Sequence, residues 1–139
     1  GRTKHFINAF GEELIVENAE IALAKAAEKN NCKIKDYTAA PIYMSSDKTG
    51  THEWLIEFIE EPKDLEKFTN TLDESLKEIN SDYEAKRHKD STMKTPKVVK
   101  ARAGLFYDWL SSKKKLGGQN KIPRLSNTRE YIEELKSLN

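Results

Sequence analysis

At 139 residues and 16.0 kDa the chain holds one domain's worth of sequence, enough for a single hydrophobic core. Charged residues make up 34% and mean hydropathy is −0.78, yet large apolar residues recur at regular spacing, which excludes a disordered tail. No apolar run approaches the roughly 18 residues of a membrane span, no signal peptide is visible, and the lone Cys32 has no partner for an internal disulfide, so a cytoplasmic domain is predicted.

Residues 4–10 alternate imperfectly between apolar and polar before Gly11, predicting a short strand or hairpin. Glu17 to Asn30 is alanine-rich, with Ala19, Ala22, Leu23, Ala26 and Ala27 on one helical face, small enough for close packing against a sheet. Ile34–Met44 and Trp54–Ile59 read as strands of an antiparallel hairpin, joined by a polar turn at 45–50. Pro62 is expected at the first position of an amphipathic helix whose stripe, Leu65, Phe68, Leu72, Leu76 and Ile79, faces a small sheet. Val98 and Val99 form a short β-type stretch closed by Gly104, and Leu105, Phe106, Trp109 and Leu110 open a helix that Gly117 and Gly118 end. The last helix is expected to start near Asn127, capped with Glu130 three residues on, and to bury Tyr131, Ile132, Leu135 and Leu138. The sum is an α+β domain over residues 1–139, a small, partly antiparallel sheet packed with helices.

A net charge of +1 conceals an asymmetry: residues 86–124 hold twelve Lys or Arg against Asp90 and Asp108, or +10, which leaves −9 elsewhere. Such segregation suits an anionic partner, either nucleic acid or a nucleotide phosphate, and equally a solvated basic face. A small α+β nucleic-acid-binding module is therefore the alternative reading, although Trp54, Phe58 and Trp109 sit in apolar patterns that a core requires. His5, His52, His88 and Cys32 lack zinc spacing, and no Gly-rich phosphate loop is present.

Two stretches carry more specific chemistry. Gly117-Gly118-Gln119-Asn120-Lys121-Ile122-Pro123-Arg124 sets one cation in a loop with a flexible approach and a stiff exit, suited to delivering Lys121 to an anion. The chain opens Gly1-Arg2-Thr3-Lys4, with Gly11 and Glu20 following. Together these resemble the hinge and terminal lysine motifs of AMP-forming adenylating enzymes, and most closely the auxin-responsive acyl-acid amido synthetases in their bacterial members. Gly104 and Phe106, the run Asn80, Tyr83 and Arg87, and His52 fit the same family; Asn120 departs from the tyrosine of plant members.

The resemblance implies a C-terminal lid domain, cut from a larger two-domain ligase and inactive alone. The whole enzyme would adenylate a carboxylic acid and pass the acyl group to an amine such as an amino acid. ATP and Mg²⁺ would be bound mainly by a large N-terminal domain of the same enzyme. The resemblance also implies Lys121 as the catalytic and nucleotide-binding lysine, Arg2 as a second nucleotide contact, Lys4 as the hinge, and Gly11 on the face used in the second step. An ammonium is apt at Lys121, because attack on ATP crowds negative charge that a preorganised cation relieves. For Arg124 two roles stay open, at the nucleotide or in an internal pair with a carboxylate.

Overall fold

The computed structural model describes residues 6–44, 49–88, 92–115 and 122–139. Strands β3 (Lys33–Tyr43), β4 (Gly50–Glu60) and β5 (Lys97–Ala101) form a sheet of order β3-β4-β5. β3 and β4 are antiparallel, in register from Asp36↔Glu57 to Tyr43↔Gly50, as the predicted hairpin requires. β5 joins β4 in parallel, with Trp54 opposite Val98. A parallel neighbour needs a crossover, here supplied by α2 (Leu65–Ile79) and α3 (Ser81–Arg87). A two-residue ribbon, β1 (Phe6–Ile7) with β2 (Leu14–Ile15), leads into α1 (Val16–Lys29); α4 (Leu105–Lys115) and α5 (Glu130–Leu138) complete the described elements.

Strand alternation divides the core into two halves. On one face Tyr37, Ala39, Trp54 and Ile56 meet Ala22 and Leu23 of α1, Phe68, Leu72 and Leu76 of α2, and Tyr83 of α3. On the other, Ala40, Leu55 and Ala101 meet Leu105, Phe106 and Trp109 of α4 and Ile132 and Leu135 of α5. Helices thus cover both faces, which is why β4 is buried from Gly50 to Glu57, its polar Thr51, His52, Glu53 and Glu57 included.

Several local expectations are corrected. The alanine face of α1 packs chiefly on α2, not only on the sheet, since small side chains let two helix backbones approach closely. α2 starts at Leu65 rather than Pro62, because the Asp64 carboxylate accepts from Glu66 N at 3.0 Å and Lys67 N at 3.2 Å. Within its stripe Phe68 stands edge-on to Phe58 of β4 at 5.3 Å, while Leu65 and Ile79 are only partly buried. α5 begins at Glu130, because Asn127 turns away to bond Asn8 N at 2.8 Å and Phe6 O at 3.2 Å. Leu138 is exposed on the last turn and Tyr131 is half-buried, its ring edge-on to Trp109. The glycine pair expected to end α4 and the turn at 45–48 lie outside the described residues.

Candidate functional site

The exit of the lysine loop is anchored on the edge of β3. Ala39 N donates to Arg124 O at 3.0 Å, Ser126 N donates to Ala39 O at 3.1 Å, and Thr38 Oγ1 donates to Pro123 O at 2.7 Å. Leu125, 1% exposed, bridges to Ala39 and drives its side chain into the core. Residues 123–126 therefore behave as a further edge of the sheet. Lys121 itself lies outside the described residues, as do Arg2 and Lys4.

Arg124 is placed, and it takes the internal role. Its Nη1 donates to Asp36 Oδ1 at 2.8 Å, and its guanidinium lies 4.9 Å over the Tyr37 ring. The Tyr37 hydroxyl donates to Glu20, the acid of the opening motif. Burial first, then this bond to Glu20, pushes the Tyr37 hydroxyl far above its ordinary range, so it stays protonated as a donor. Burial also raises Asp36 against the opposing pull of Arg124. Arg124, Tyr37 and Glu20 line a cleft of about 310 Å³ together with Leu23, Ala24, Ala27 and Ile34.

Gly11 sits in a turn between β1 and β2 with φ +86°, which a side chain rarely adopts. The turn is tied to two distant points, His52 of β4 and Asn80 between α2 and α3. The buried Glu12 carboxylate accepts from Phe10 N at 2.7 Å and lies 2.5 Å from His52 Nε2 of β4. Asn8 Oδ1 accepts from Glu13 N, and Asn80 Nδ2 donates to Glu13 O at 3.2 Å. His52 is thus a buried strap behind Gly11, its Nδ1 without a hydrogen-bond partner among the described residues.

The remaining motif residues build the domain. Asn80 Oδ1 accepts from Tyr83 N and caps α3. Tyr83 and Arg87 close on Asp73: the hydroxyl donates at 2.7 Å, Arg87 Nε at 2.9 Å and Nη2 at 2.6 Å. Burial raises the Asp73 carboxyl, but the bonds from Arg87 and Tyr83 outweigh it and hold it below its usual range. Gly104, with φ +84°, turns the chain so that its N–H and that of Phe106 donate to buried Glu57, which caps α4 from the middle of β4. Glu53, also buried, receives Arg129 at 2.6 Å and Lys136 at 2.9 Å.

Sequence reasoning did not single out Glu12, Glu53, Glu57 or Asp73. A signal was present for two of them, carboxylates at inward positions of the apolar strand 54–59 and its approach. The charge asymmetry is partly cancelled in space among the described residues. Arg87, Lys97, Lys100, Arg102 and Arg124 meet Asp73, Glu53, Glu61, Asp108 and Asp36 respectively.

Among the described residues no group of three or more His, Cys, Asp or Glu is arranged to hold a metal ion, and no helix is long and apolar enough to cross a membrane. Comparison with curated proteins finds no match. Two solved structures share the fold: AtGH3.15 acyl acid amido synthetase in complex with 2,4-DB, and GH3.15 acyl acid amido synthetase. Each superposes with a TM-score of 0.75 at 20% identity over 99% of this chain, which spans 26% of the length of either protein. The family profile described as the GH3 family C-terminal domain matches residues 17–130, and the chain belongs to that family.

Proposed function

We propose that this chain is the mobile C-terminal domain of an ATP-dependent, AMP-forming acyl-acid amido synthetase. The observation that carries the reading is family membership over residues 17–130, with the same fold along 99% of the chain. ATP would serve as co-substrate, activating a carboxylic acid for capture by an amine such as an amino acid. ATP and Mg²⁺ would be held mainly by a large N-terminal domain.

This chain's contribution would be a positioned cation. In sequence Lys121 stands just before Ile122 and the segment 123–126 that is pinned to β3. Rotation about Lys4 would bring Lys121 toward the reacting phosphate, with Arg2 as a second contact, and then withdraw it for amide formation while the Gly11 turn faces the site. Closure would also keep water from the activated acid.

The test is acid-dependent exchange of labelled pyrophosphate into ATP. The full-length protein is expected to exchange with at least one member of a carboxylic-acid panel, and residues 1–139 alone with none. Exchange by the isolated chain, or a well-folded full-length protein that exchanges with no acid, contradicts the reading.

A further inference from the structure

Lys86 of α3 lies across the Gly11 turn. A Cβ built on Gly11 would stand 3.1 Å from Lys86 Cε and 3.3 Å from Nζ, so the absent side chain is the space the lysine occupies. The backbone on both sides of this contact is fixed. The Lys86 carbonyl accepts from Thr92 N at 3.2 Å and Met93 N at 2.9 Å, and the adjacent Arg87 is locked onto Asp73. The turn is strapped by Glu12 to His52 and by Glu13 to Asn80.

The second observation is electrostatic. Five other cations of the basic stretch, Arg87, Lys97, Lys100, Arg102 and Arg124, each meet a carboxylate. Lys86 meets none among the described residues, and it is half-buried beside an exposed glycine. A partly desolvated ammonium without a counter-ion is a receptor for an anionic group on an incoming molecule. An amino acid presented as a free amine carries such a group, its carboxylate, one carbon from the nucleophile.

We propose that Lys86 is a specificity-determining residue that receives the carboxylate of an amino-acid acceptor at the Gly11 turn. The inference rests on the amido synthetase reading above. In the step it serves, the acceptor nitrogen bonds to the acyl carbon and the carbon–oxygen bond to AMP breaks. AMP leaves with that electron pair, and the surplus amine proton passes to water. Lys86 touches neither bond; it orients the acceptor and selects acceptors bearing a carboxylate.

The experiment compares, in the full-length protein, kcat/KM for amide formation with an amino acid and with its carboxamide. The parent is expected to prefer the free amino acid. Lys86→Gln should lower that preference roughly tenfold or more, through KM for the amino acid, and Lys86→Arg should keep part of it. Thermal unfolding of each variant checks that the fold is retained. A Lys86→Gln enzyme that keeps the parent's preference, or that loses rate equally with both acceptors, overturns the proposal for Lys86. A parent that forms amides with neither acceptor, and shows no acid-dependent pyrophosphate exchange, overturns the amido synthetase reading beneath it.

Discussion

Two clusters in this domain use the same three residue types to opposite ends. In the first, Arg87 grips both oxygens of Asp73 while Tyr83 donates to the same carboxylate, and the paired side chains are each 6% exposed. In the second, Arg124 reaches one oxygen of Asp36, with side chains 42% and 33% exposed, and Tyr37 donates elsewhere, to Glu20. The first carboxyl is held below its ordinary range and the second is raised above it. Full burial with complete pairing makes a strut. Partial burial with single bonds leaves an arginine stacked at the mouth of a cleft, beside the anchored exit of the lysine loop. Residue type and charge alone do not separate a buried strut from a pair at the rim of a cleft; the count of satisfied bonds and the exposure do.

The largest effect should come from breaking the strut. Asp73→Ala leaves the Arg87 guanidinium buried without its partner and should destabilise the domain by roughly 3–5 kcal/mol, read from chemical unfolding. A loss below about 1 kcal/mol would show that Arg87 finds another partner and that the cluster is not a strut.

A glycine substitution tests the turn next. Gly11→Ala forces a side chain into φ +86° and against Lys86. It should cost about 1–2 kcal/mol, with the Lys86 side-chain resonances shifted. Full parent stability would show that the turn relaxes easily and does not hold Lys86 in place.

The pH response sharpens the contrast. Asp73 and Glu53 are both depressed, burial being overcome by their cationic partners. Their contribution is complete above the unfolded carboxylate values of about 4 and is lost as pH falls through the lower folded ones. Asp36 is raised, so its contribution has the opposite sign: folding gains as pH falls through its folded value. Asp73→Asn should therefore flatten the acid-side loss of stability, and Asp36→Asn should steepen it slightly. Identical acid limbs for the parent and both variants would contradict this assignment. Least of all, Asp36→Ala should change stability by under about 1 kcal/mol, because the pair is only partly buried and backbone bonds already fix residues 123–126.

Much of this was legible beforehand. The hairpin, the alanine-rich helix and the α2 stripe follow from periodicity, and the burial of Phe68, Leu72 and Leu76 matches it. Helix starts were less legible, because side chains compete for free N–H groups: Asp64 took the α2 cap, and Asn127 was diverted to the β1 ribbon 119 residues away in sequence. No local pattern encodes a contact of that separation. The parallel placement of β5 and the pairing of Glu57 with Gly104 are non-local for the same reason. The basic stretch read as one surface because its acid partners lie in other elements, Asp36, Glu53, Glu61 and Asp73 among them. Motif resemblance singled out Gly11, Glu20 and Arg124 but not Lys86, whose contact with the Gly11 turn is visible only in the fold.

The measurement that bears most directly on the account separates the two half-reactions in the full-length protein carrying Lys121→Ala. Acyl-adenylate formation should slow by roughly 10²–10³ when this positioned cation is lost. Amide formation from a supplied acyl adenylate should run at close to the parent rate, since the proposed rotation would have withdrawn Lys121 for that step. Adenylation at the parent rate without Lys121, or an equal loss in both half-reactions, would contradict the account.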